Sequence, residues 1–159
     1  MDDAIAIFQG YAQDPEVSRY LTWPPHRSIG ETRGFLRACI DNWREGTRFP
    51  WVITAAPEDT PLGMMELRRT GHMADVGYVL ARSEWGKGYT TEALIAVVEM
   101  ALALDGCYRV WAVCDVENAA SARVMEKAGM VREGILRRFL YHPAMSNEPR
   151  DAYCYARTR

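Results

Sequence analysis

The sequence predicts an α/β fold, a mixed and mainly antiparallel sheet flanked by helices, and three observations carry that expectation. The chain has 159 residues, enough for one core that removes about two-thirds of the unfolded surface from water. Three strand-like runs, Trp51–Ala55, Leu62–Arg68 and Val76–Leu80, are joined by the turn-rich AAPEDTP and by Gly71-His72, which reads as an antiparallel meander. From Ala74 onward, strand and helix patterns alternate, and such alternation sets Val76–Leu80 parallel to Tyr108–Cys114. A single domain over residues 1–159 is the expected division.

The elements follow in order. Ile5, Phe8 and Ala12 lie near helical spacing, so Asp2–Gln13 is predicted to be a short amphipathic helix, ended by Asp14-Pro15. A second short turn follows Pro15, and the consecutive prolines of LTWPPHR exclude a continuous helix there. Trp23 in that segment is either a packed aromatic or a wall of a substrate cleft. Ser28 and Glu31 have capping-box spacing, and Phe35, Leu36, Cys39, Ile40 and Trp43 then share one helical face as far as Gly46. Beyond the meander, Tyr89–Leu104 carries a wide apolar stripe, with Gly106 as its C′ residue. After the Tyr108–Cys114 strand, Ala119–Ala128 reads as a helix ended by Gly129. Met130–Phe139 and Arg150–Ala156 supply the last strands.

Composition narrows the function classes. A formal net charge of −2 gives no field for nucleic acid, and Arg137-Arg138 and Arg157–Arg159 lack interleaved aromatics. No apolar run of ~18 residues and no leader pattern occurs, so no membrane partner is expected and the chain reads as a cytoplasmic protein. Cys39, Cys107, Cys114 and Cys154 are single and scattered, as expected of reduced core thiols. His26, His72 and His142 show no ligand spacing, so no metal is expected.

The chemistry concentrates in ADVGYVLARSEWGKGYTTEAL, residues 74–94. A strand runs into Gly86-Lys87-Gly88 and then into a helix start at Tyr89. The glycines let backbone approach a ligand, and the first helical turn offers unpaired N–H groups at a positive dipole end, so the loop suits a phosphate. It is not a nucleotide P-loop, because Lys87 lies between the glycines, and it lacks the third glycine of a dinucleotide fingerprint. A tight strand-to-helix turn without a ligand is the other reading of the same residues.

Two segments in register carry a resemblance. GYVLARSEWGKGYTTEAL resembles the acyl-CoA-binding motif of the GNAT superfamily of N-acetyltransferases, in its ribosomal-protein N-terminal acetyltransferase-like branch. VWAVCDVENAASARVMEKAGMVREGILR is similar to that family's strand, N-x-x-S helix and following hairpin, and RDAYCYAR to its last strand. The resemblance implies a GNAT fold whose parallel strand pair splays at the acetyl-CoA site, with acetyl-CoA as donor substrate and no metal. It places the pyrophosphate on the amides of Gly86, Lys87, Gly88, Tyr89, Thr90 and Thr91. The pantetheine arm would lie along the strand edge ending at Leu80, where an N–H near Val79 or Leu80 polarises the thioester carbonyl, and Asn118 would bond the arm from the opposite lip. Ser121 would protonate the leaving thiolate, although it could equally be only a first-turn helix residue. Asp75 and Glu66 are the candidates for the base, and each could instead be a surface or substrate-contacting carboxylate.

The departures from the family pattern are Trp85 for Gln or Arg, Thr90 for Gly or Ala, Met125 for a tyrosine acid, and no RL-x-LR strand before the first helix. The expected activity is N-acetylation of a primary amine, in a small molecule or at a protein N-terminus, and a homodimer is compatible with it. The rival reading is an acyl-CoA-binding sensor without transferase activity.

Overall fold

The computed structural model describes residues 3–159. Helix α1 (Asp3–Ile7) passes directly into a π-helical turn, Phe8–Ala12. The expected single helix over Asp2–Gln13 is thus corrected: Asp2 lies outside the described residues, and the second half is wound more widely. That winding lets the consecutive residues Tyr11 and Ala12 both be buried. Asp14 caps the one-turn α2 (Pro15–Ser18) by accepting the Glu16 N–H at 2.9 Å.

The long helix α3 (Ile29–Glu45) starts as its sequence demands, the Ser28 hydroxyl accepting the Glu31 N–H at 3.3 Å. Glu31 reaches back one residue beyond the usual capping box, to the Arg27 N–H at 2.8 Å. Its expected apolar face is only partly covered, with Phe35 40% and Ile40 52% exposed. The reason is placement at the end of the sheet, where the Trp43 indole donates to the Pro50 carbonyl at 2.7 Å and its ring meets Phe49 and Trp51 edge-on.

Six strands form the sheet: β1 (Arg48–Ala55), β2 (Glu58–Thr70), β3 (Met73–Leu80), β4 (Arg109–Asp115), β5 (Val131–Leu140) and β6 (Arg150–Thr158), in the order β1-β2-β3-β4-β6-β5. β1, β2 and β3 are the expected meander, although the first hairpin is tighter than the run AAPEDTP suggested. Pro50 is tolerated because β1 is an edge strand, and Pro61 because it falls at a register shift between Ile53 and Ala55. Consecutive residues of β2 serve opposite faces. Met65 and Leu67 join a core with Val76 and Val110 of the sheet and Leu94, Val98 and Met125 of α4 (Tyr89–Ala103) and α5 (Ala119–Lys127). Met64 joins Ile7, Tyr11, Val17 and Cys39 on the other side. Each fully buried aliphatic side chain in these layers contributes about 1.5–3 kcal/mol.

Two expectations near the centre change. Gly106 is not the C′ residue of α4, because Leu104 already leaves the helix in an extended conformation (φ −69°, ψ 139°) and Gly106 turns the following loop. The parallel pairing of β3 and β4 is confined to Met73–Asp75 against Arg109–Trp111, earlier than the predicted Val76–Leu80. Beyond Asp75, β3 stays paired only with β2 and β4 only with β6. The divergence opens a fork whose inner edges have no strand partner.

Candidate active site

A cleft of about 780 Å³ runs through this fork and across to α2 and α3. Register decides which backbone groups line it. Ala81 donates its N–H to the Leu62 carbonyl at 2.7 Å, so alternation along β3 turns the N–H and C=O of Leu80 and Tyr78 away from β2 and into the fork. Of the two expected donors, Leu80 turns its N–H into the fork, whereas the peptide groups of Val79 face β2 and its side chain packs with the α1–α3 layer. The Leu80 carbonyl already accepts the Trp85 indole N–H at 2.9 Å.

The glycine loop leads directly into α4. Gly88 is its N-cap in the left-handed region (φ +94°), and no side chain caps the helix. The first helical N–H to find an i−4 carbonyl is that of Glu92, bonding Gly88 at 3.0 Å, so the amides of Tyr89, Thr90 and Thr91 precede the ladder. Lys87 is tied to Glu84 at 3.0 Å at the loop's outer side. Gly86, Gly88, Thr90 and Thr91 all line the cleft.

Across the fork, Asn118 is the N-cap of α5, its Oδ1 accepting the Ser121 N–H at 3.0 Å. Its Nδ2 amide remains a free donor among the described residues. Ser121 faces β3, with its Oγ 2.7 Å from the Tyr78 hydroxyl. The sequence gives no sign of this contact, because the two residues lie 43 positions apart and meet only through the splay. Burial pushes the Tyr78 phenol above its ordinary pKa, partly offset by the hydrogen bond to Ser121, and pushes the neighbouring Cys114 thiol up to about 11. Both are neutral proton carriers at pH 7. Met125, which the resemblance sets at the position of a tyrosine acid, is fully buried in the α4–α5 core.

The two candidate bases are both ion-paired. Glu66 lies in the cleft wall, but Arg48 holds both of its oxygens, at 2.6 and 3.0 Å, and Arg68 approaches at 3.4 Å. Asp75 does not line the cleft and pairs with Arg68, whose Nε is 2.6 Å from Oδ2. Trp23 packs on the α1–α3 layer and also lines the cleft.

A second polar cluster closes the far end. Asp115, at the end of β4 and 1% exposed, accepts from Arg150 at 2.6 and 3.2 Å and from the Glu117 N–H at 2.8 Å. Burial would raise its carboxyl, but Arg150, the Glu117 N–H and His142 together hold it below the usual range. His142, although it follows β5 in a loop, is buried: its Nδ1 lies 3.2 Å from the Leu21 carbonyl and its Nε2 3.5 Å from Asp115. Among the described residues no cluster suited to a metal occurs, and no helix is long and apolar enough to cross a membrane.

Comparison with known proteins agrees with this architecture. YnaD of Bacillus subtilis, an uncharacterized N-acetyltransferase, is 36% identical over 153 residues, covering 95% of this chain and 85% of that protein. YoaA of the same organism is 28% identical over 159 residues, covering 97% and 86%. A GNAT-family acetyltransferase from Bacillus anthracis superposes with a TM-score of 0.83 at 28% identity, covering 99% of this chain and 89% of that one. RimL, a ribosomal L7/L12 α-N-protein acetyltransferase solved with coenzyme A, shares the fold with a TM-score of 0.85 at 22% identity, covering 99% and 89%. The family model for the acetyltransferase (GNAT) domain matches residues 1–131; with that match and the splayed β3–β4 fork in place, the chain belongs to the GNAT family of acetyltransferases.

Proposed function

We propose that this protein transfers an acetyl group from acetyl-CoA to a primary amine, either a protein N-terminal α-amine or a small-molecule amine. The observation that carries the reading is the start of α4: three amides ahead of the helical ladder, a glycine N-cap with no capping side chain, and an unpaired strand edge beside it. Those features fit a pyrophosphate on Gly86–Thr91 and an extended arm along β3, with Asn118 Nδ2 on the opposite lip. Bound acetyl-CoA supplies an activated thioester. The Leu80 N–H faces the place where the thioester oxygen gains charge. Ser121, with Tyr78 behind it, is the donor of a proton to the departing sulfur. Glu66 and Asp75 serve here as ion-pair partners that hold Arg48 and Arg68 in place.

A binding module without transfer activity is favoured by one observation, the pairing of both carboxylates with arginine. A thiol-release assay with acetyl-CoA and a panel of amines decides between the two, since steady release on adding any amine excludes the binding module. Gly88→Val is expected to weaken acetyl-CoA binding at least ~10-fold by calorimetry. A Cβ there meets no protein atom within 4 Å, but φ +94° is strained for valine and the open space is the phosphate's. Unchanged affinity would remove the loop from the donor site. Ser121→Ala is expected to lower turnover ~10- to 100-fold with little change in acetyl-CoA affinity. Equal turnover would leave Ser121 a helix residue.

A further inference from the structure

With both carboxylates ion-paired, the acceptor half of the cleft needs another group to take the proton that the amine loses. We infer that His26 is that group, with Nε2 as the receiving atom. The inference rests on the acetyltransferase reading and goes beyond it by naming a residue outside the two segments, 77–94 and 110–137, that carry the resemblance.

His26 lines the same cleft as Ser121 and the glycine loop. Its backbone N–H donates to the Ala12 carbonyl at 2.8 Å, fixing it to the π-helical turn. Its Nδ1 is 2.8 Å from the hydroxyl of Thr32, a fully buried residue of α3. The ring is held between Trp23 at 5.1 Å and Phe35 at 6.1 Å between centroids. One nitrogen is therefore committed, and among the described residues Nε2 has no hydrogen-bond partner. In the tautomer with Nδ1–H donating to Thr32, Nε2 presents a lone pair. His142 is poorly placed for this part, because it is 1% exposed, with Nδ1 on the Leu21 carbonyl and Nε2, which has no hydrogen-bond partner, 3.5 Å from Asp115 inside the buried cluster.

The electrostatics agree. Burial lowers the His26 pKa below its ordinary value against the opposing pull of Glu31, whose carboxylate is itself engaged by the Arg27 N–H. The ring is neutral at pH 7 and ready to accept a proton. The balance closes without another reactant: the acetyl–sulfur bond breaks and the acetyl–nitrogen bond forms. The nitrogen's proton goes to His26 Nε2, the thiolate takes one from Ser121, and solvent exchange resets both residues. Glu16, exposed at the cleft rim, is the rival acceptor.

The test compares wild type, His26→Gln, His26→Ala and Glu16→Gln, using a tripeptide with a free α-amine and 2-phenylethylamine as acceptors. Acetyl-CoA affinity is measured in parallel by calorimetry. The expected result is a kcat about 100-fold lower for both His26 variants, unchanged acetyl-CoA affinity, and partial rescue of His26→Ala by added imidazole. Wild-type kcat/KM should rise with pH through an inflection below the ordinary imidazole value. That inflection should vanish in His26→Gln, while the upper limb from the amine's own titration stays. Turnover by wild type that His26→Gln leaves unchanged, or that Glu16→Gln abolishes in its place, overturns this inference alone. No thiol release by wild type with either acceptor overturns the acetyltransferase reading for these amines and the inference with it.

Discussion

Gly63→Ala is expected to destabilise the protein by about 3 kcal/mol and to weaken acetyl-CoA binding in the same variant. A Cβ at Gly63 would lie 2.3 Å from the Val79 carbonyl oxygen and 3.0 Å from Leu80 Cα, and both are backbone atoms of the neighbouring strand. No rotamer change relieves such a contact, so β2 and β3 must separate where Gly63 faces Leu80 and Met64 faces Val79. Leu80 is one of the two residues whose N–H and C=O face the fork, so the strain is delivered to the proposed acetyl-CoA site. Gly134→Ala is the control: a Cβ there meets nothing within 4 Å and the backbone is not left-handed, so its stability should stay within ~0.5 kcal/mol of wild type. Urea denaturation and calorimetric titration of both variants check the expectation, and equal behaviour of the two would show that the strands accommodate the methyl group.

The contrast between Gly63 and Gly88 shows what could be read from the sequence. Gly88 declares itself through neighbours: a strand before it, a second glycine two residues earlier and a helix start after it. The Ser28–Glu31 cap and the order of strands and helices were legible for the same reason, because each depends on residues within one turn or one hairpin. Gly63 is important only because a strand 16 residues later crosses its face, and nothing local marks it. Tyr78 and Ser121 meet across the fork, and Asp115 meets Arg150 across 35 positions. The extent of the β3–β4 pairing was misplaced because periodicity fixes which residues form a strand but not where two strands part. Glu66 and Asp75 were candidates as carboxylates on neighbouring strands, but the arginines that hold them are a cross-strand fact. His26 lay in a segment whose prolines announced only irregular backbone, and its commitment to Thr32 required the start of α3 to fold back beside it.

The buried cluster at the end of β4 gives the largest expected effect. Asp115→Ala should cost about 3–5 kcal/mol, because it leaves the Arg150 guanidinium, 25% exposed, and the buried His142 without their shared carboxylate. For a chain of this length that corresponds to a fall in Tm of roughly 10 °C. The sign with pH follows from the depressed carboxyl. A folded-state pKa below the unfolded one stabilises the protein fully above the unfolded value, about 3.9, and the contribution is lost as pH falls through the folded value. Wild type therefore loses this contribution on acidification, whereas the variant has none to lose, and the gap between their urea midpoints should narrow from pH 7 to pH 3. A gap of constant width would mean that the cluster stabilises by packing and not by charge. The same substitution frees the Glu117 N–H, which sits one residue before the Asn118 cap of α5. Acetyl-CoA affinity should fall along with stability, since the turn that presents Asn118 and Ser121 to the fork is held by the carboxylate that anchors Arg150.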